Sequence, residues 1–167
     1  NITVNVDGYS IKNDMEFILM QRKPGGYRQP TKEQRDASRI DKESFDRWFQ
    51  QIWNIGGAST KKHPAPYPLE LATRLVRMFS FVGDTVLDPF CGSGTTMVAA
   101  LRSERNSIGV EIDPEYCRMA AQYLKAETED FFTTAELRFE KASTETLAMV
   151  QEDSALYEVR PARKRLV

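Results

Sequence analysis

Two cysteines, one histidine and no long apolar run set the first limits on this 167-residue chain. With only Cys91 and Cys117 available, no disulfide framework is indicated, and free thiols of this kind suit a reducing cytoplasm. No stretch approaches the length of about 20 apolar residues that a membrane helix needs. No basic-then-apolar leader opens the chain, so no export signal is read. The first residue is Asn1, followed at once by an alternating segment, which reads as the interior of a longer gene product. An excess of one charge is also missing: 23 basic side chains face 24 acidic ones, for a net charge of −1. Any nucleic-acid binding must therefore come from local clusters and not from an overall positive field. What is present is the balance of a globular protein, 41% hydrophobic and 28% charged. A chain of this size can bury roughly 70% of its unfolded surface, enough for a real core.

The amino-terminal part reads as strands. Ile2, Val4 and Val6 alternate with polar residues ahead of the turn signal Asp7-Gly8. A second strand is expected over Glu16–Met20, ending at Arg22-Lys23 before Pro24-Gly25-Gly26. From Gly25 to about Ile40 the chain is polar and basic and reads as a surface excursion. Phe45, Trp48, Phe49, Ile52 and Trp53 recur at helical spacing, so an amphipathic helix is expected over residues 41–53, its aromatic stripe packing the core. The prolines of 61–68 exclude helix and central strand. A helix with an apolar face, Leu71, Leu75, Val76 and Met78, follows over Leu69–Phe79.

The next segment carries the most information. Thr85–Asp88 reads as a short buried strand, Pro89–Gly94 as a tight loop, and Thr95–Leu101 as a helix of small residues. Ser107–Ile112 reads as a second buried strand, and Asp113 with Pro114 opens a helix to about Lys125. This is a βαβ unit of a parallel sheet. The tail offers a weaker strand near 136–139, a helix near 143–156, and a basic terminus read as solvated.

Gly92 and Gly94 let the backbone turn sharply at a strand's carboxyl end, where α/β sheets hold ligands. Glu111 ends the next strand, where a carboxylate can accept both hydroxyl protons of an adenosine ribose. A phosphate loop would need a Lys before the Ser/Thr, but Thr95 follows Gly94 directly. The dinucleotide fingerprint would need a third glycine where Met97 stands. Asp88 instead ends the first strand, placed for a ligand's ammonium. S-adenosylmethionine, with an amino-acid end, a ribose and no phosphate, fits this pattern. A glycine turn that only packs a helix is the plainer reading, and the pairing of Asp88 with Glu111 argues against it.

The stretches His63-Pro64-Ala65-Pro66-Tyr67-Pro68, Val86-Leu87-Asp88-Pro89-Phe90-Cys91-Gly92-Ser93-Gly94-Thr95-Thr96 and Ile108-Gly109-Val110-Glu111 together resemble the amino-group DNA methyltransferases of the beta arrangement. The likeness covers roughly residues 9–125. It implies an α/β, Rossmann-like S-adenosylmethionine-dependent methyltransferase fold, incomplete in this chain. It further implies that Asp88 and the loop Phe90, Cys91, Gly92, Ser93, Gly94, Thr95 and Thr96 hold the methionine part of the cofactor. Glu111 would bind the ribose hydroxyls and Ile112 would lie against the adenine. Lys62, His63, Pro64, Ala65 and Pro66 would close over the amino-acid end, with His63 in a structural or cofactor-shell role. The target-recognition region falls on Lys23, Tyr27, Arg28, Lys32, Arg35 and Arg39. In these terms residues 1–24 are strands of the catalytic half and 25–60 the DNA-contact insertion. Residues 61–126 form the cofactor unit and 127–167 a carboxyl-terminal extension.

The chemistry of the resembled family sits in Asp, Asn or Ser followed by Pro-Pro and an aromatic. None of the eight prolines here is adjacent to another, so that motif is absent and no catalytic residue is assigned. An upstream segment or a second subunit would supply it. The expected activity is methylation of the exocyclic amine of adenine or cytosine in DNA within restriction-modification, this chain alone being inactive. An RNA methyltransferase and a non-catalytic cofactor-binding or DNA-docking subunit are the alternatives. The expected partners are double-stranded DNA, the catalytic segment and, as a further option, a second copy. No metal or membrane is implied, and the expected location is the cytoplasm, on the nucleoid.

Overall fold

The computed structural model describes residues 3–6, 9–12, 15–57, 67–130 and 136–141. The alternating amino terminus forms strand β1 (Thr3–Val6), paired antiparallel with β2 (Tyr9–Lys12) so that Val6 faces Tyr9 across the two-residue break. The expected strand over Glu16–Met20 is a correction: that segment carries no regular structure, and Phe17 and Leu19 are 80% and 84% exposed. Apolar character alone does not make a strand. Its backbone groups need a neighbouring strand to bond, and the described residues provide none.

The basic excursion contains a helix that was not expected, α1 (Lys32–Ala37). Its signal was in the sequence, a capping box in which Thr31 accepts the Gln34 N–H at 3.1 Å and the Gln34 amide oxygen accepts the Thr31 N–H at 3.3 Å. Helix α2 (Lys42–Trp48) begins on Asp41, whose carboxylate accepts the Ser44 N–H at 2.8 Å, and it ends well before Trp53. Its aromatic stripe only partly enters the core. Trp48 is buried, whereas Phe45 and Phe49 stack on each other 4.2 Å apart and stay half exposed. A helix of two turns cannot carry the whole stripe to one face.

Helix α3 (Leu69–Phe79) matches its expected bounds. Strand β3 (Thr85–Asp88), helix α4 (Thr95–Arg102) and strand β4 (Asn106–Gly109) then form the parallel unit, Leu87 opposite Ile108 and Asp88 opposite Gly109. Parallel bonding continues past β4, with the Val110 N–H donating to the Asp88 carbonyl and the Cys91 N–H to the Val110 carbonyl, both at 2.9 Å. Helix α5 (Pro114–Asp130) starts where Asp113 accepts the Glu115 N–H at 2.7 Å. It outruns the expected end near Lys125 because no glycine or proline stops it. Arg102 also holds Glu127 through two bonds of 2.6 and 2.7 Å.

Helix α4 is the centre of the packing, touching α3, α5 and both parallel strands. Its Val98, Ala99 and Ala100 are fully buried, and Ala99 packs against Ala72 and Val76 of α3. Burial on one sheet face only is the second correction. Val86 packs on the α3–α4 core, but Leu87, Ile108 and Val110 on the other face are 63%, 55% and 53% exposed. A strand is buried on both faces only when layers cover both, and among the described residues a single layer does. Residues 136–141 form no strand, leaving Phe139 exposed. The helix expected near 143–156 lies outside the described residues.

Candidate functional site

The carboxyl ends of β3 and β4 lie side by side and both carry acids. Parallel pairing in register places Asp88 at the tip of β3, while the chain leaving β4 delivers Glu111 beside the loop that leaves β3. That loop turns on two left-handed glycines, Gly92 at φ 51° and Gly94 at φ 89°. Its shape is held from within, the Gly94 N–H donating to the Cys91 carbonyl at 2.8 Å. Gly94 caps α4 without a side chain, so the first-turn N–H groups of that helix, at Thr95 and Thr96, meet the loop uncovered by a capping side chain.

Glu111 acts as a staple. One carboxylate oxygen accepts the Gly92 N–H at 2.9 Å, and the other accepts the Ile112 and Asp113 N–H groups at 2.9 Å each. Three of roughly four acceptor positions of a carboxylate are thus occupied by backbone, with one left. Asp88 is built similarly. One oxygen accepts the Phe90 N–H at 3.1 Å; the other accepts the Thr96 hydroxyl at 2.5 Å and the Tyr67 hydroxyl at 3.3 Å. Tyr67 and Thr96 also touch each other. Tyr67 lies beyond the expected site residues, and its only sequence signal was its place in the proline-rich stretch.

Around these acids the loop presents contrasting surfaces. Phe90 and Ile112 project into solvent, 87% and 97% exposed. Cys91 points inward, and burial, with the Asp88 and Glu111 charges, pushes its thiol up to about 11. Ser93 is half-buried at the loop's crest. Burial also pushes the Tyr67 phenol above its ordinary value; the Thr96 hydrogen bond opposes this and the Asp88 charge adds to it. Among the described residues no cluster of three or more His, Cys, Asp or Glu side chains could hold a metal ion. The structure thus brings together Asp88, Phe90, Cys91, Gly92, Ser93, Gly94, Thr95, Thr96, Glu111 and Ile112. Lys62, His63, Pro64, Ala65 and Pro66 lie outside the described residues.

A sequence model of the DNA methylase family matches residues 2–122. The chain belongs to that DNA methylase family. It is similar to TTHA0409, a putative DNA modification methylase of Thermus thermophilus, solved as a complex with S-adenosyl-L-methionine. The two share 54% identity at a TM-score of 0.67, over 75% of this chain and 49% of that one. It is 51% identical over 108 residues to the type II methyltransferase M.MjaI of Methanocaldococcus jannaschii, covering 60% of this chain and 35% of the relative. It is 41% identical over 117 residues to the type II methyltransferase M.MthZI of Methanothermobacter thermautotrophicus, covering 64% and 33%. The chain therefore spans about half of the solved relative and about a third of these two methyltransferases. With this likeness the α/β unit is identified as part of a Rossmann-like methylase fold.

The basic residues of the excursion form a separate, exposed group in this methylase chain. Lys23, Tyr27, Arg28, Lys32, Arg35 and Arg39 are all at the surface. Arg28 pairs with Asp84 in the turn before β3 and lies over Phe81. Arg39 pairs with Asp36 at 3.2 Å, Arg35 donates to the Pro30 carbonyl at 3.3 Å, and Arg22 covers Tyr27 at 4.3 Å. Helix α1 is fastened to the same turn, Gln34 donating to the Val82 carbonyl at 3.3 Å and Ser38 accepting the Val82 N–H at 2.7 Å. The excursion is thus anchored on the turn that leads into β3.

Proposed function

We propose that the chain is the cofactor-binding portion of a DNA amino-methyltransferase, binding S-adenosylmethionine at the carboxyl ends of β3 and β4. The observation that carries this is the pair of acids flanking the left-handed glycine loop, Asp88 held by Phe90, Thr96 and Tyr67, and Glu111 held by Gly92, Ile112 and Asp113. Each carboxylate keeps an acceptor position open. Asp88 receives an ammonium and Glu111 a ribose hydroxyl. The exposed face of Ile112 suits the flat adenine ring, while the loop from Phe90 to Thr96 holds the methionine part and the open amino end of α4 suits its carboxylate. Lys62, His63, Pro64, Ala65 and Pro66 cover the amino-acid end. When bound, the cofactor supplies a sulfonium methyl group to the exocyclic amine of adenine or cytosine.

The acceptor chemistry comes from elsewhere. No Pro-Pro motif is present to accept the amine's protons and stack on a flipped base. Further strands would extend the sheet from the open edge of β3, beside a groove of about 550 Å3 along α3, and a further layer would cover the bare face of Leu87, Ile108 and Val110. We assign residues 1–24 to the catalytic half, 25–60 to DNA contact, 61–126 to the cofactor and 127–167 to an extension. The DNA contacts are Lys23, Tyr27, Arg28, Lys32, Arg35 and Arg39, and the setting is nucleoid DNA in the cytoplasm.

The test is an NMR titration of the full chain with S-adenosyl-L-homocysteine and its 2′-deoxyribose analogue. Wild type binds the first weakly, and the second more weakly still. Glu111→Ala lowers affinity for the ribose ligand by about 1–3 kcal/mol and abolishes the distinction between the two. Equal affinities in wild type remove Glu111 from ribose binding. Labelled methyl transfer to duplex DNA by this chain alone would overturn the division of labour.

A further inference from the structure

We infer that Tyr67 is a positioning residue of the cofactor site, its hydroxyl deciding which oxygen of Asp88 meets the ligand's ammonium. This rests on the reading that an S-adenosyl ligand binds at Asp88. Three oxygens, those of Tyr67, Thr96 and one arm of Asp88, meet in a triangle. They share two protons, because each hydroxyl carries one and the carboxylate none. Thr96 gives its proton to Asp88 at 2.5 Å, and the Tyr67 proton is shared between Asp88, at 3.3 Å, and the Thr96 oxygen. That arm of the carboxylate has about two acceptor positions, and both are used. The other arm accepts only the Phe90 N–H, at 3.1 Å, and keeps one position open. A ligand ammonium is therefore steered to the Phe90 side of Asp88.

The triangle joins three pieces of chain that are distant in sequence. Tyr67 precedes α3, Asp88 ends β3, and Thr96 sits in the first turn of α4. Removing the phenol oxygen opens a position on the filled arm and frees the carboxylate to turn about its Cβ–Cγ bond. The ammonium then has two places to dock instead of one. A ligand without an ammonium does not sense the difference. Because burial and the neighbouring charge keep the phenol protonated, it remains a donor throughout the neutral range.

The experiment compares S-adenosyl-L-homocysteine with 5′-methylthioadenosine, which keeps the adenosine and lacks the amino-acid end, by NMR titration of the full chain. Tyr67→Phe weakens the first roughly 3–10-fold, as expected for one hydrogen bond near a charge, and leaves the second within about twofold. Thr96→Val does the same, and Thr96→Ser, which restores the hydroxyl, recovers the loss. If Tyr67→Phe fails to fold, the Thr96 pair carries the comparison. Equal weakening of both ligands shows a merely structural tyrosine and overturns the inference, as does no change in either. Wild type that binds neither ligand overturns the site reading itself, and the Tyr67 role with it. Wild type that binds methylthioadenosine as tightly as S-adenosyl-L-homocysteine keeps the adenosine site but removes the ammonium contact that Tyr67 would orient.

Discussion

Replacing Gly94 by alanine combines two separable penalties. The residue caps α4 at φ 89°, ψ 20°, a region an L-residue with a Cβ enters at a cost of about 1–2 kcal/mol. The added methyl would also lie 3.0 Å from the Cβ of Ala120 and 3.2 Å from its Cα. Ala120 is 3% exposed and its Cα belongs to the backbone of α5, so the helix as a whole must give way. Overpacking of this kind costs about 1–3 kcal/mol. Together the two effects predict a loss of about 2–5 kcal/mol, read by urea unfolding of the full chain followed by circular dichroism. The companion Ala120→Gly alone loses about 1 kcal/mol of helix propensity. In the double variant the Cβ contact vanishes while the approach to the Cα and the backbone strain persist, so the two single costs overshoot the combined one by about 0.5–1 kcal/mol. A Gly94→Ala variant within about 0.5 kcal/mol of wild type would refute the reasoning. Strict additivity of the two changes would refute the contact.

Two further outcomes follow from charge and burial. At pH 8 iodoacetamide should modify Cys117 well before Cys91, because the buried Cys91 thiol, raised to about 11, holds only a trace of thiolate; mass spectrometry that finds Cys91 labelled first would contradict its placement. Asp84 is mostly buried, which alone would raise its carboxyl, but the Phe81 N–H and Arg28 outweigh burial and hold it below its ordinary value. A depressed carboxylate adds stability above its unfolded value and loses it as pH falls through the lower folded one. Arg28→Ala should therefore cost about 0.5–1.5 kcal/mol at pH 7, Arg28 being half exposed, and almost nothing near pH 2. A cost that stays constant with pH would mean that Arg28 acts through Phe81 packing and not through charge.

The parallel unit could be read directly because its signals are local. Hydrophobic runs, Gly92 and Gly94, and the Asp113-Pro114 start all act within a few residues. The bounds of α3 and β3 accordingly agree with expectation. The capping box Thr31–Gln34 was equally local and equally legible, yet the basic composition around it masked the short helix α1. The placement of Asp88 and Glu111 beside the glycine loop, at the carboxyl end of the parallel pair, could also be read from the sequence.

Other features depended on partners distant in sequence. Glu16–Met20 has strand-like composition but no strand beside it, so its backbone is left unpaired. Leu87 and Ile108 looked buried because parallel strands usually have two covered faces, and only packing reveals that one face is bare. Beyond Lys125, α5 meets a partner distant in sequence, Glu127 bonding Arg102 of α4. Tyr67 became part of the site only when folding carried it 21 residues along the chain to Asp88. Periodicity and turn chemistry act through neighbours in sequence, whereas pairing, coverage and hydrogen-bond triangles depend on what the fold brings into contact.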